Sequence, residues 1–507
     1  MGFDFRIFDG GLDEGFVEWL VDDQWVEIGQ HMGRLWEYYQ NSMYGSRQAR
    51  AGGEASGRNY LQGQECGLPS RITGVSYSGS DVTSGQAVED ISRKEVVIEN
   101  DISWRINAMV DFLFGKGVTF VSKAPGENKR IEIEKLIKVV FDANGGAGFF
   151  QDMAVLGSVY GFVDCLVRCC QPFENAQHTG AGINSNFTST SSTSSFDSAV
   201  RLASSIGLDL IEAPRALPVL DENDYRKINY YIQHFYQLKN SVGTESSFLS
   251  RVLGGKGGGD RDKCDITEIF GPGWWQRYEN RRLVAEGENR LGIIPVVHVQ
   301  NVAQPYFYEG LSDVEQLIGL QDELNTRLSD RASRITFQAF KMYLGKGIDG
   351  FGEKTISPGT MWCTDNPDAS IEAFGGDSST PSEDMHIAEI REAMDKISGV
   401  TPVVAGVLKN KLGNLTSGVA LKMTFMGMLS KTARKQYTYG EGLKQIVRLI
   451  LHMLDEHGGY STAPEEREVE VVFPNPLPEN TMEKLQEAQI KKELGVSEQS
   501  ILSELGY

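Results

Sequence analysis

Apolar positions recur at helical spacing over residues 15–44, where Trp25, Ile28, Met32, Leu35, Trp36 and Tyr39 line one side and Gly45 ends the run. The same period predicts helices over Ser92–Phe114 (Ile102, Ile106, Val110, Leu113) and Asn128–Ala143. A third follows in GAGFFQDMAVLGSVYG, breaking near Gly157 into a strand over Val159–Cys170. Between Leu208 and Asn301 the pattern shortens to successive strands: LDLIEA, INYYIQHFYQL, CDITEIF, RRLVAEG and IIPVVHVQ. Three polar stretches interrupt these elements. Residues 46–90 read as an exposed arm, the Ser/Thr-rich 174–205 as a mobile insertion, and GGKGGGDRD at 254–262 as a flexible tip.

Beyond residue 311 helices dominate. Ser312-Asp-Val-Glu315 is a capping box opening a helix to about residue 335, with Leu317, Leu320, Leu324, Leu328 and Ile335 on one side and a length of about 35 Å. A compact segment with strand signals, Phe340–Phe374, comes next. Thr380-Pro-Ser-Glu383 is a second capping box, with proline at the first helical position. Its helix carries Ile387, Ile390, Met394 and Ile397 and ends at Gly399. A loop rich in Gly, Val and Asn leads into a helical pattern from Ser417 to His457, about 60 Å if straight, with Gly427, Gly440 and Gly442 as expected bends. Met423, Met426 and Met428 are read as core packing rather than a sliding surface. The strand EREVEVVF, the turn PNPLPEN, a polar helix from Thr481 and a short helix capped by Ser497 complete the chain. Helices and strands lie in separate blocks, so the fold class is α+β.

Charge singles out one segment. The chain carries a formal net charge of −20, yet Lys409–Arg448 holds eight basic residues and the single acidic Glu441. A basic island in an acidic chain predicts local encounter with a polyanion rather than general affinity for one. Lys409 and Lys411 stand at a loop tip beside Asn410 and Asn414, groups suited to phosphate contact without base readout. Lys431, Arg434 and Lys435 are read as sharing a helix face, with Lys422 before them and Lys444 and Arg448 one turn apart after them. A solvated helix face is the plain alternative for these later residues.

Catalytic signatures fail on spacing. Gly347-Ile-Asp-Gly-Phe-Gly352-Glu353-Lys354-Thr355 approaches a phosphate-binding loop, but Glu353 displaces the lysine and sets a carboxylate where phosphate would sit. His452 and His457 are five residues apart, not the four that put two imidazoles on one helix face, and read as helix-end residues. Six cysteines are too few and too scattered for a disulfide scaffold; Cys165, Cys169 and Cys170 read as core thiols, which suits a reducing assembly site. No cofactor or metal is expected, no apolar run of about 18 residues predicts a membrane span, and the acidic start MGFDFRIFDGGLDEG does not read as a signal peptide.

The pieces YFYEGLSDVEQLIGLQDELN, ISGVTPVVAGVLKNKLGNLTSGVALKM and VEVVFPNPLPEN, in this order and spacing, resemble the portal proteins of tailed bacteriophages. The resemblance implies a homo-oligomeric ring, usually twelve-fold, at the capsid vertex, through which double-stranded DNA is packaged and ejected. It implies a wing of residues 1–311 with a return strand in 459–480, stem helices at 312–335 and 380–398, and a clip at 336–379. A tunnel loop at 400–416, a long bent tunnel helix at 417–458 and a short helical crown at 481–507 complete that scheme. By the same resemblance Lys409, Asn410, Lys411 and Asn414 face DNA, and Lys422, Lys431, Arg434 and Lys435 are the basic residues of the tunnel helix. The clip, with Lys346, Asp349, Glu353 and Lys354, would receive the terminase that hydrolyses ATP and the head-tail adaptor. Major capsid protein and a scaffolding protein are further partners, in a virion assembled in the host cytoplasm. The Ser/Thr-rich insertion and the small crown depart from the family pattern. A nucleic-acid-processing enzyme using the basic 409–448 segment as a groove, and a structural capsid-associated scaffold, are the alternatives.

Overall fold

The structure, a computed structural model, describes residues 3–8, 11–41, 96–169, 195–238, 263–339, 342–347, 366–374, 381–405, 422–477 and 481–495. The expected arm at 46–90 and tip at 254–262 lie outside these residues, as do Thr380 and Ser497. The chain divides into two compact units. One comprises Met1–Trp36, Trp104–Glu315 and Gly399–Tyr507; the other comprises Glu37–Ser103 and Gln316–Ser398. No helix among the described residues is long and apolar enough to cross a membrane.

The larger unit begins with a segment whose aromatic side chains fold inward. Phe3, Phe5, Phe8 and Leu12, followed by Val17, Leu20 and Val21, cover Leu217, Ile232, Ile269 and Tyr278. The last three come from helix α1 (Glu14–Trp19) and the π-helical turn Leu20–Gln24 before α2 (Trp25–Gln40). The face they cover belongs to a five-stranded antiparallel meander, β4 (Ala216–Leu220), β5 (Ile228–Leu238), β6 (Lys263–Phe270), β7 (Trp274–Glu279) and β8 (Arg282–Glu288), in that spatial order. Strand β5 is buried on both faces, since consecutive Tyr231, Ile232, Gln233 and His234 are all inaccessible. That explains its lack of polar/apolar alternation.

A second, three-stranded antiparallel sheet runs β3 (Ile206–Ile211), β2 (Phe162–Cys169), β9 (Val296–Gln300). Cys165 is buried in its central strand, where burial pushes the thiol far up, in keeping with a core thiol. Around these sheets lie α3 (Asp101–Phe114), α4 (Glu127–Ala143), α5 (Ala147–Tyr160), α6 (Ser195–Ser204) and α9 (Met426–Glu456). Strand β1 (Thr119–Ser122) pairs antiparallel with β12 (Val469–Val472), and α10 (Thr481–Glu493) follows.

Several boundaries differ from the sequence reading. Helix α3 starts nine residues later than Ser92, because the Asn100 side chain accepts the Ser103 amide at 3.1 Å and caps it there. Helix α5 does not break at Gly157; it runs to Tyr160 and ends on Gly161 at φ +95°. Gly157 is there for space, since a Cβ would stand 2.1 Å from the Tyr439 hydroxyl. The low-complexity stretch 174–205 contains α6 at its end, with Ala199 and Ala203 fully buried. Strands β1, β4 and β7 were not legible. Pro218 disguises β4, which tolerates a proline because it lies at the sheet edge.

In the smaller unit, α7 (Ile318–Ala339) follows a 3-10 turn at Glu315–Leu317, and α8 (Pro381–Ser398) ends on Gly399 at φ +71°. Ile387, Ile390 and Met394 of α8 are buried, whereas Ile397 and Ile335 are exposed, so both apolar stripes are shorter than read. Arg331 meets Asp384 at 2.6 Å and Arg334 meets Glu383 at 2.5 Å between the two helices. Strands β10 (Met342–Lys346) and β11 (Ser370–Phe374) pair as an antiparallel ladder, so the expected strand signals are realised there.

The buried face of α7 is more polar than apolar: among the described residues Gln321, Asn325, Thr326, Ser329 and Ser333 are buried beside Leu324 and Leu328. The amides of Val97, Glu99 and Asp101 donate to Ser329 (3.0 Å), Asn325 (3.1 Å) and Gln321 (3.1 Å). Every second residue of an extended chain advances about 6.6 Å, and every fourth residue of a helix about 6.0 Å. The two repeats nearly match, so an extended segment lies antiparallel along the helix with helical side chains standing in for a partner strand. This explains why 96–100 is not helical.

Candidate nucleic-acid interface

The basic helix is longer than its neighbours and continuous. A helical turn at 422–424 precedes α9, whose 31 residues span about 46 Å. Gly427, Gly440 and Gly442, expected as bends, sit inside unbroken helix. Two of them permit close approach: a Cβ at 442 would lie 2.4 Å from Val299 of β9 and one at 440 would lie 3.3 Å from the Phe473 ring, whereas one at 427 would make only an ordinary 3.4 Å contact with the Gly399 carbonyl. The buried stripe of Leu443, Ile446, Ile450 and Leu454 holds the C-terminal half, at about 1.5–3 kcal/mol for each side chain removed from water. His457 is the C-terminal cap, and burial lowers its pKa; His452 lies 3.5 Å from Glu456 one turn on.

The N-terminal half is fastened by charge. Lys435 is buried, its ammonium 2.6 Å from Asp313 and 2.8 Å from the Ser158 hydroxyl. Lys431, one turn earlier, reaches the other oxygen of Asp313 at 2.7 Å. Asn301 completes the surroundings: its amide donates to Asp313 at 3.1 Å, and its side-chain oxygen accepts from the Tyr439 hydroxyl at 3.2 Å. Burial alone would push the Asp313 carboxyl up, but the Lys435 and Lys431 ammonium groups hold it well below the usual carboxylate range. Burial lowers the Lys435 pKa, with Asp313 opposing and Lys431 reinforcing that shift. Asp313 is placed by Ser312, whose hydroxyl accepts the Val314 and Glu315 amides at 3.1 and 3.2 Å and donates to the Val159 carbonyl at 2.6 Å. The expected capping box thus closes its first hydrogen bond, onto a 3-10 turn.

This geometry revises the basic island. Lys431 and Lys435 do not share a face with Arg434: they point inward to Asp313, while Arg434 points to solvent. Lys444 is paired with Glu441 at 2.6 Å, and Arg448 with Glu468 at 3.0 Å. Of the six described basic residues between 422 and 448, Lys422 and Arg434 alone are exposed with no carboxylate partner among the described residues. Met428 is buried, but Met423 and Met426 are 66% and 62% exposed, so two of the three methionines expected in the core lie on the outer surface. Tyr437 continues that surface at 73% exposure.

Lys409, Asn410, Lys411 and Asn414 lie outside the described residues, and so do Asp349, Glu353 and Lys354. Lys346 is described: it is exposed and meets Glu372 across the β10–β11 ladder at 3.1 Å. Asp313 was missed as a functional residue. A signal was available, because Lys435 falls seven residues after Met428 and four before Tyr439, on the apolar stripe itself. A lysine there demands a buried carboxylate.

Over residues 204–506 the chain matches the model of a protein family described as phage portal protein, SPP1 Gp6-like. That is more than half of its length, and the chain belongs to this family. Such a family is structural rather than enzymatic. The solved structures it is similar to include the neck of an empty gene transfer agent particle computed with C6 symmetry, at 11% identity and a TM-score of 0.40, covering 78% of this chain and 86% of that one. The virion of a native gene transfer agent particle gives 11% identity and a TM-score of 0.38, covering 78% of this chain and 85% of that one. The assignment rests on the family match and not on these likenesses. No curated protein matches the chain.

Proposed function

We propose that this chain forms a ring at the capsid vertex of a tailed phage or phage-like particle and serves there as the conduit for double-stranded DNA during packaging and ejection. The observation that carries this reading is the family match over 204–506, which spans both helices of the smaller unit, the β10–β11 ladder and all of α9. The ring's parts follow the order given above: wing, two stem helices flanking a clip, tunnel loop, tunnel helix and crown. Lys409, Asn410, Lys411 and Asn414 face the duplex. The segment bearing Lys346, Asp349, Glu353 and Lys354 receives a terminase, which supplies ATP hydrolysis, and later a head-tail adaptor. The wing meets the surrounding capsid shell.

The electrostatics support a conduit over a tight binder. Neutralising many phosphates would hold DNA in place, and a chain with net charge −20 does not do so. Pairing of Lys431, Lys435, Lys444 and Arg448 within the chain leaves few cations for DNA. Changing Lys409 and Lys411 together to Ala is expected to lower packaged DNA per head while rings assemble normally, measured by DNA content of purified heads. Heads filled to the wild-type level would remove the assigned role. The exposed Met423, Met426 and Tyr437 favour a second reading, in which the outer face of α9 meets a neighbouring subunit; under it the same double variant would impair assembly instead.

A further inference from the structure

Asp164 of β2 is fully buried, and its one ion-pair partner among the described residues is His298 of β9, which faces it across the ladder. Three groups converge on this carboxylate: the Tyr231 hydroxyl of β5 at 2.8 Å, the Tyr308 hydroxyl at 3.0 Å and His298 Nδ1 at 2.7 Å. Burial, and after it the charge of Asp164, pushes both phenols well above their ordinary value, so both keep their protons and donate. The other imidazole nitrogen, Nε2, lies 2.7 Å from the Tyr308 carbonyl, and the Tyr308 ring stacks on His298 with centroids 3.7 Å apart. A neutral imidazole has one N–H. With an acceptor at each nitrogen, a neutral ring would set a lone pair against the carboxylate or against the carbonyl. The imidazolium bonds both and supplies the counter-charge that a buried carboxylate demands.

Tyr308 belongs to the turn that joins β9 to Asp313, the carboxylate on which Lys431 and Lys435 of α9 converge. Side chains at the end of β9 hold the rest of that turn. Gln300 donates to the carbonyls of Phe307 and Tyr308 at 3.0 and 2.9 Å, and Asn301 donates to the Leu311 carbonyl at 2.9 Å and to Asp313 at 3.1 Å. The turn is held against its local preference. Tyr306 adopts φ +69°, a region an aromatic residue rarely occupies, and both it and Phe307 are exposed. Hydrogen bonds, not burial of these two rings, keep it in place.

We propose that His298 is a proton-operated latch: doubly protonated, it ties the Tyr308 turn to Asp164, and loss of one proton frees the turn that leads into Asp313. The groups around it are Asp164 from β2, Tyr308 from the turn and, beyond Asp164, Tyr231 from β5, with the Arg215 charge bearing on Tyr231. By residue type, the imidazole is the member of this set that exchanges a proton near neutrality. A free imidazole gives up its second proton at roughly pH 6.5. The latch is therefore fully closed below that pH and weakens as pH rises. It is a property of the single subunit, so its failure would leave the ring reading untouched.

Hydrogen exchange of the wild-type protein and of His298→Gln tests it, followed from about pH 6 to about pH 9 with each amide referred to its intrinsic rate. The Leu311 amide, bonded to the Val302 carbonyl at 3.0 Å, reports the turn. In the wild type its protection is expected to fall as pH rises, by up to about tenfold per pH unit, the signature of one proton. In His298→Gln it is expected to be low at every pH. Wild-type protection that does not change with pH, or that falls equally in the variant or at other turns of the chain, overturns the latch. The wild-type profile and its comparison with other turns decide the matter even where the variant does not fold.

Discussion

Asp313 carries more of α9's position than any of the cations that drew attention to that helix. It is nearly buried, it takes both Lys431 and Lys435, and it is held by a hydroxyl-capped turn from Ser312. Asp313→Asn leaves Lys435 buried with no opposing charge and is expected to cost about 3–5 kcal/mol. Lys431→Ala leaves the Asp313–Lys435 pair and costs less. Urea unfolding of both variants checks the order; equal losses would show that Asp313 does not act through Lys435. The sign with pH follows from the lowered folded pKa. The Asp313 contribution is fully present above the unfolded carboxylate value near 3.9 and is lost as pH falls through the folded one, so neutral pH reads it whole. In sequence, the lysines were visible as charge and misread as surface, because charge says nothing about which way a helix is turned. The apolar stripe said it, and Lys435 lies on that stripe.

At the scale of elements, glycine was the residue whose meaning was hardest to read. The sequence pattern reads Gly157, Gly440 and Gly442 as breaks or bends, yet all three lie in continuous helix; beside Gly157 and Gly442 a neighbouring side chain stands too close for a Cβ, and beside Gly440 the Phe473 ring leaves one little room. Gly161 and Gly399 do end helices, at φ values open to glycine. Local sequence cannot separate the two uses, since the second depends on what another element brings. Gly442→Ala therefore tests packing against propensity. Helix propensity alone favours Ala by about 1 kcal/mol, whereas overpacking against Val299 costs about 1–3 kcal/mol. Net destabilisation is expected, largely relieved by adding Val299→Ala; thermal unfolding of the three variants decides it, and stabilisation by the single change would contradict the packing account. The helices of regular period, α4, α7 and α8, were legible because their cores are local stripes. Strand β4 was not, with its proline, nor was the extended segment 97–101, whose partners are side chains more than 200 residues away.

At the scale of the molecule, the basic island inside an acidic chain pointed to a polyanion before any fold was known. The structure narrows that impression, since most of the described cations after Lys422 are answered by carboxylates of the same chain. Under the proposed conduit role, Lys422 and Arg434 are the described cations left for DNA beside the proposed tunnel loop, a pattern that would let a duplex pass. The family and the order of helices were legible because they reside in sequence patterns over 204–506. Which of their side chains lie exposed was not, because exposure is a property of the folded chain. The proposed assembly is a closed ring around a channel. Negative-stain images of the purified protein, averaged along the symmetry axis, are the sharpest check. Closed rings of one subunit number with a central opening are expected; monomers at every concentration, or open filaments, would rule the ring out.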